Sequence, residues 1–133
     1  MTKLLKGISF IPKPHRSKEA QRLIENCIEF VLHHEVCFSS HGRDRLLHKD
    51  IGKLTFPNFY KSDFLEILWL LAREEVHDRR MSHALALLRT MMEAGSFWEL
   101  EKALNIIVSV GQKGRSNVFI TERATEVLDY YGR

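Results

Sequence analysis

Five histidine or cysteine side chains, able to ligate a metal or move a proton, fall between residues 33 and 48: His33, His34, Cys37, His41 and His48. The gaps in His34-x2-Cys37-x3-His41 suit zinc, which takes imidazole nitrogen and thiolate sulfur. Structural zinc sites, however, join two tight ligand pairs a dozen or more residues apart, and no second pair stands outside this cluster. No metal and no other cofactor is therefore assigned. His33 and His34 near a helix C-terminus have a plainer role beside the negative end of the helix dipole.

The same region is rich in cations. Residues 1–61 hold eleven Lys or Arg against six Asp or Glu, a net +5, while residues 62–133 hold nine against eleven, a net −2. Steering toward a polyanion would therefore act first through the N-terminal half. Lys13, Arg16, Arg43, Arg45, Lys49 and Lys53 are its candidate phosphate contacts, setting affinity more than sequence choice. Within this stretch Arg43-Asp44-Arg45-Leu46-Leu47-His48 resembles the Arg-x4-His motif of the small all-helical HEPN ribonucleases. That resemblance implies Arg43 as the stabiliser of developing phosphate charge and His48 as acid or base. No Gly-rich phosphate loop, nucleophile elbow or carboxylate pair accompanies it.

A second resemblance lies downstream. Met81-Ser82-His83-Ala84-Leu85-Ala86-Leu87-Leu88, running to Glu93-Ala94-Gly95, resembles the recognition helix and stop of winged-helix regulators of the MarR kind. Arg115 to Thr121, followed by Glu122 to Tyr131, is similar to their wing strand and closing helix. The resemblance implies that Arg79, Arg80, Ser82, His83 and Arg89 face the major groove, with Lys113 and Arg115 on backbone or minor groove.

These residues need elements to hold them. The 133 residues fit one domain, and 44% hydrophobic with 28% charged residues is a globular composition. The longest apolar run, Ile67 to Ala72, is too short to span a bilayer, and Lys3 and Lys6 are followed by no export signal. Two cysteines, Cys27 and Cys37, are expected as free thiols in a reducing cytoplasm.

Residues 1–16, interrupted by Pro12 and Pro14, read as a basic N-terminal arm that docks through Ile8, Phe10 and Ile11, leaving 17–133 as a single helical domain. Ser17 caps a first helix carrying Ala20, Leu23, Ile24, Cys27, Ile28, Val31 and Leu32 at helical spacing. From Glu35 to Lys61 the pattern breaks, with a turn expected around Arg43 to Lys49. Asp63 and Glu66 make a capping box for Phe64 to Ala72, apolar almost all round and so the central element of the core. Met81 to Met92 forms a third helix, stopping at Gly95. Ser96 and Glu99 repeat the capping-box pattern and open a fourth, through Trp98, Leu100, Ala103, Leu104 and Ile107. Over 106–120 a wing-like β-hairpin competes with continued helix. Thr121 caps a last helix, and Gly132 ends it.

The expected fold is mainly α, a compact bundle of about five helices. The expected function is a non-enzymatic regulatory binding protein, with DNA the favoured ligand and Arg79 and Arg80 joining the N-terminal cations. The alternative is a protein-binding adaptor or inhibitor, or a homodimer, acting through an apolar surface of Met91, Met92, Phe97 and Trp98. A small HEPN-like ribonuclease stands third, and no membrane association is expected.

Overall fold

The computed structural model describes residues 2–39, 42–47, 50–58, 61–102 and 111–132, with the backbone alone for residues 39 and 42–44. The chain is mainly helical. Five α-helices lie among the described residues: α1 (Thr2–Ser9), α2 (Lys18–His33), α3 (Phe64–Arg73), α4 (Ser82–Thr90) and α5 (Val118–Tyr131). A short antiparallel pair, β1 (Phe38–Ser39) and β2 (Gly42–Leu46), follows α2 where the sequence suggests only a turn.

α3 is the central element. Seven of its ten residues are buried, because Leu, Ile and Phe occupy nearly every position from Phe64 to Leu71. It packs against α5, α4 and α1. One cluster joins Leu65, Leu68 and Leu71 to Leu85, Leu88, Trp98, Val127 and Leu128, and a smaller one joins Leu70 to Leu5, Ile8, Ile24 and Cys27. Each such side chain contributes roughly 1.5–3 kcal/mol of transfer free energy when fully buried.

The helix termini follow their capping residues. The Ser17 hydroxyl accepts from Ala20 N, and an Asp63 carboxylate oxygen accepts from Glu66 N at 2.8 Å. α3 ends in a Schellman arrangement, with Glu75 N donating to Ala72 O and Val76 N to Leu71 O, both 3.0 Å. Glu75 takes the left-handed position, φ 57°, where glycine is the usual residue.

Three expectations are corrected. Residues 2–9 form a docked helix, with Leu5 fully buried and Ile8 nearly so, because Leu4, Leu5 and Ile8 already sit at helical spacing. Phe10 and Ile11, expected to dock, are 55% and 39% exposed. The fourth helix at Ser96 does not form among the described residues. Ser96 adopts φ 62°, and Trp98 and Leu100 are buried while Phe97 and Glu99 are only half-buried, the alternation of a strand. The last helix starts earlier, capped by Asn117, whose side-chain oxygen accepts from Phe119 N and Ile120 N. The Thr121 hydroxyl instead accepts from Trp98 N at 3.0 Å.

No described helix is long and apolar enough to cross a membrane.

Candidate nucleic-acid interface

α3 and α4 are joined by five residues, Glu74 to Asp78, and a 3-10 turn, Arg79–Met81. The Asp78 carboxylate caps that turn by accepting from Arg80 N at 2.8 Å. α4 buries Ala84, Leu85 and Leu88. The opposite side exposes Arg79, Ser82, His83, Ala86 and Thr90, a stripe at helical spacing with small residues at its middle. Small side chains there let a helix approach another surface closely.

An antiparallel hairpin follows. Leu100 N donates to Arg115 O at 2.9 Å, Gly114 N to Leu100 O at 2.8 Å and Asn117 N to Trp98 O at 2.9 Å, around an isolated Glu99–Ser116 bridge. The wing-like hairpin expected near 106–120 therefore has its return arm at Gly114 to Asn117 but its outgoing arm at Trp98 to Leu100. Residues 106–110 lie outside the described residues. The Trp98 indole is buried and donates to Leu88 O at 2.9 Å, which ties the hairpin to the end of α4. Asn117 and Thr121 tie it to α5. Asn117 is legible as a cap, a short polar residue before the apolar Val118 to Ile120, but Thr121 satisfies the same rule four residues later.

The candidate cations divide sharply by what they already hold. The Arg16 side chain is 3% exposed and makes a bidentate pair with Glu74, while also donating to Ser9 O and Ile11 O. Its guanidinium is consumed in joining the N-terminal segment to α3, so Arg16 is corrected from a phosphate contact to a fold contact. Arg80 spans Glu29 and Asp78, whose hydrogen bonds raise its pKa above the ordinary arginine value. Lys13 is exposed and pairs with Glu75 at 2.9 Å. Lys53 is half exposed and stands 3.9 Å from Asp50. Arg89 donates to Gly132 O at 2.7 Å. Arg45, Arg79, Lys113 and Arg115 are exposed, and no side-chain hydrogen bond or ion pair holds them among the described residues. Arg43 lies on β2 with its backbone alone described, and Lys49 and His48 lie outside the described residues.

The apolar partner surface expected from sequence does not assemble. Trp98 is wholly buried, and Met91 packs half-buried on the main cluster. Phe97 is half-buried and Met92 is 41% exposed. Trp98 resembles a surface anchor only while its neighbours are taken as helical; in a strand it points inward.

The remaining chemistry is muted. Burial pushes the Cys37 thiol up to about 12, and burial raises Cys27 as well, so neither is an activated nucleophile. Both are buried. The His34 ring meets Phe30 and His33 edge-on, at centroid distances of 5.0 and 5.3 Å. His41 and His48 lie outside the described residues.

No protein-family model, curated protein or solved structure matches this chain.

Proposed function

We propose that this chain is a non-enzymatic regulatory protein that binds duplex DNA through the exposed stripe of α4 and the hairpin that follows it. The observation that carries the reading is the succession α3, tight connection, α4, antiparallel hairpin, with exposed cations whose side chains are unpaired among the described residues: Arg79 in the 3-10 turn that leads into α4, Lys113 in the turn before the hairpin's return arm and Arg115 on that arm. A helix exposing small and polar residues fits a major groove about 12 Å wide, where it reads base edges. Cations flanking it would neutralise phosphates and fix its register. Arg45, also exposed and unpaired, and Arg43, Lys49 and Lys53 would extend the phosphate contacts from the N-terminal half.

Arg79→Ala, Lys113→Ala and Arg115→Ala together remove three such cations. The expected result is a duplex-binding salt slope shallower by about three, roughly one for each phosphate no longer neutralised, with weaker binding to every sequence. An unchanged slope in a folded triple variant rejects this surface. Burial of Trp98 takes one of the four residues from the adaptor surface, and the Arg43 side chain and His48 of the ribonuclease reading lie outside the described residues.

A further inference from the structure

Away from the α4 stripe, six side chains from four segments form a ladder in which flat rings alternate with guanidinium groups. Phe10, just past α1, lies under the Arg73 guanidinium, 5.1 Å from its centroid, and the same guanidinium lies 4.9 Å from the Trp69 ring. Arg123 comes next, 4.6 Å from Trp69 and 5.3 Å from Phe56. Phe56 then stacks on Phe119, with centroids 4.7 Å apart and planes 5° from parallel. The i,i+4 spacing on a helix sets Arg73 beside Trp69 on α3 and Arg123 beside Phe119 on α5.

Two features separate this ladder from packing that only serves the fold. Its end rings, Phe10 and Phe119, remain 55% and 41% exposed, although burial is what a phenyl ring ordinarily gains from folding. Arg73 is exposed and its guanidinium has neither a hydrogen bond nor an ion pair among the described residues, unlike those of Arg16 and Arg80. Arg123 donates to Asn58 Oδ1 at 2.9 Å. The carboxylates facing it are Asp63, Glu66 and Glu126. Asp63 and Glu66 are buried, with Glu66 matched by Lys3 and Lys6, and Glu126 accepts from the Trp69 indole at 3.0 Å.

We propose that the ladder is a stacking platform for a short stretch of single-stranded nucleic acid. A ligand for this surface must be flat, to use the open phenyl rings, and anionic, to satisfy the unpaired guanidinium. A single strand is both, with a π-face on every base and a phosphate between each pair. A duplex is excluded from this mode because its base faces are hidden in its own stack. Bases stack on Phe10 and Phe119, and a phosphate takes Arg73. This site is separate from the groove-reading surface of α4 and does not depend on it.

The test titrates the full chain with a six-nucleotide oligothymidylate while following tryptophan fluorescence. Trp98 is buried and supplies a constant background, so a change reports on Trp69. Saturable quenching is expected, with affinity reduced at least ten-fold in the double variant Phe10→Ala, Phe119→Ala and in Arg73→Ala. All three substitutions are at exposed side chains, and circular dichroism verifies that the variants are folded. Duplex binding is measured on the same proteins, and its absence in wild type rejects the α4 reading without touching this one. Absence of quenching, or equal affinity of wild type and both variants, overturns the proposal. Quenching by an acidic, aromatic peptide with none by the oligonucleotide also overturns it, in favour of a protein ligand.

Discussion

Asp63 and Glu66 stand three residues apart at the start of α3, both buried, and they titrate in opposite senses. Burial raises Asp63 to about 6 despite hydrogen bonds from Glu66 N, Thr55 N and Asn58. Burial would raise Glu66 as well, but hydrogen bonds from Lys6, Ser62 and Lys3 outweigh it and hold the carboxyl below its ordinary value. A raised folded-state pKa means that Asp63 stabilises the fold below about 4, and that this contribution fades as pH rises through about 6. A shift of that size corresponds to an order of 2–3 kcal/mol. Glu66 contributes above its ordinary pKa and loses that contribution as pH falls through its depressed value. Urea unfolding from pH 4 to 7 should therefore show a stability component that declines with rising pH in wild type and vanishes in Asp63→Asn. An identical pH slope in the two proteins contradicts the assignment. Replacing Lys3 and Lys6 together by Ala leaves the buried Glu66 without the two cations paired with it, a loss of about 3 kcal/mol at pH 7. That loss should shrink toward pH 5 as Glu66 takes up a proton. Of this network only the Asp63 cap was legible in sequence, because N-capping is local. Lys3 and Lys6 meet Glu66 across some sixty residues, a pairing that no spacing rule reveals.

At the scale of elements, what the sequence made plain and what it hid have different physical causes. α2 and α3 carry strong apolar patterns and side-chain caps and form where the pattern places them, whereas α4 has an apolar periodicity but no side-chain cap and ends at Thr90, short of the expected stop at Gly95. α1 spans only eight residues, too few for a periodic signal, and an isolated helix of that length is unstable in water. It exists through Leu5 and Ile8 packing on α2 and α3, together with the lysines on Glu66. The Ser96/Glu99 pattern failed because a capping box is shared by many turns, whereas the buried alternation of Trp98 and Leu100 depends on the distant arm at Gly114 to Asn117. The end of α3 falls within one residue of the expected Ala72 although no glycine marks it, because Glu75 fills the left-handed position that glycine usually takes. Glu75→Gly should raise stability by roughly 0.5–1 kcal/mol, since the left-handed conformation is strained for a residue with a Cβ. The exposed pair with Lys13 that it removes offsets little. A thermal midpoint that falls in this variant would contradict the helix end described.

For the whole molecule, the charge distribution read from sequence is sorted again by the fold. The N-terminal half holds the excess of cations, yet Arg16 is buried against Glu74, and Lys3 and Lys6 serve Glu66. The C-terminal half is net acidic but leaves Arg79, before α4, and Lys113 and Arg115, at the hairpin, exposed and without a side-chain partner among the described residues. Net charge by segment therefore misjudges the surface; the unpaired cations are what a polyanion meets. The candidate interface was legible through its helix and hairpin signals, while the removal of Arg16, Arg80 and Trp98 from it follows from tertiary pairing and burial. The most direct test of the account is the affinity of the purified chain for labelled duplex DNA between about 50 and 200 mM salt, where a few phosphate contacts change binding by orders of magnitude. The account predicts a linear fall of log affinity with log salt, with a slope that drops in the Arg79, Lys113 and Arg115 triple alanine variant. No duplex binding at about 50 mM salt, or binding indifferent to salt, would contradict it.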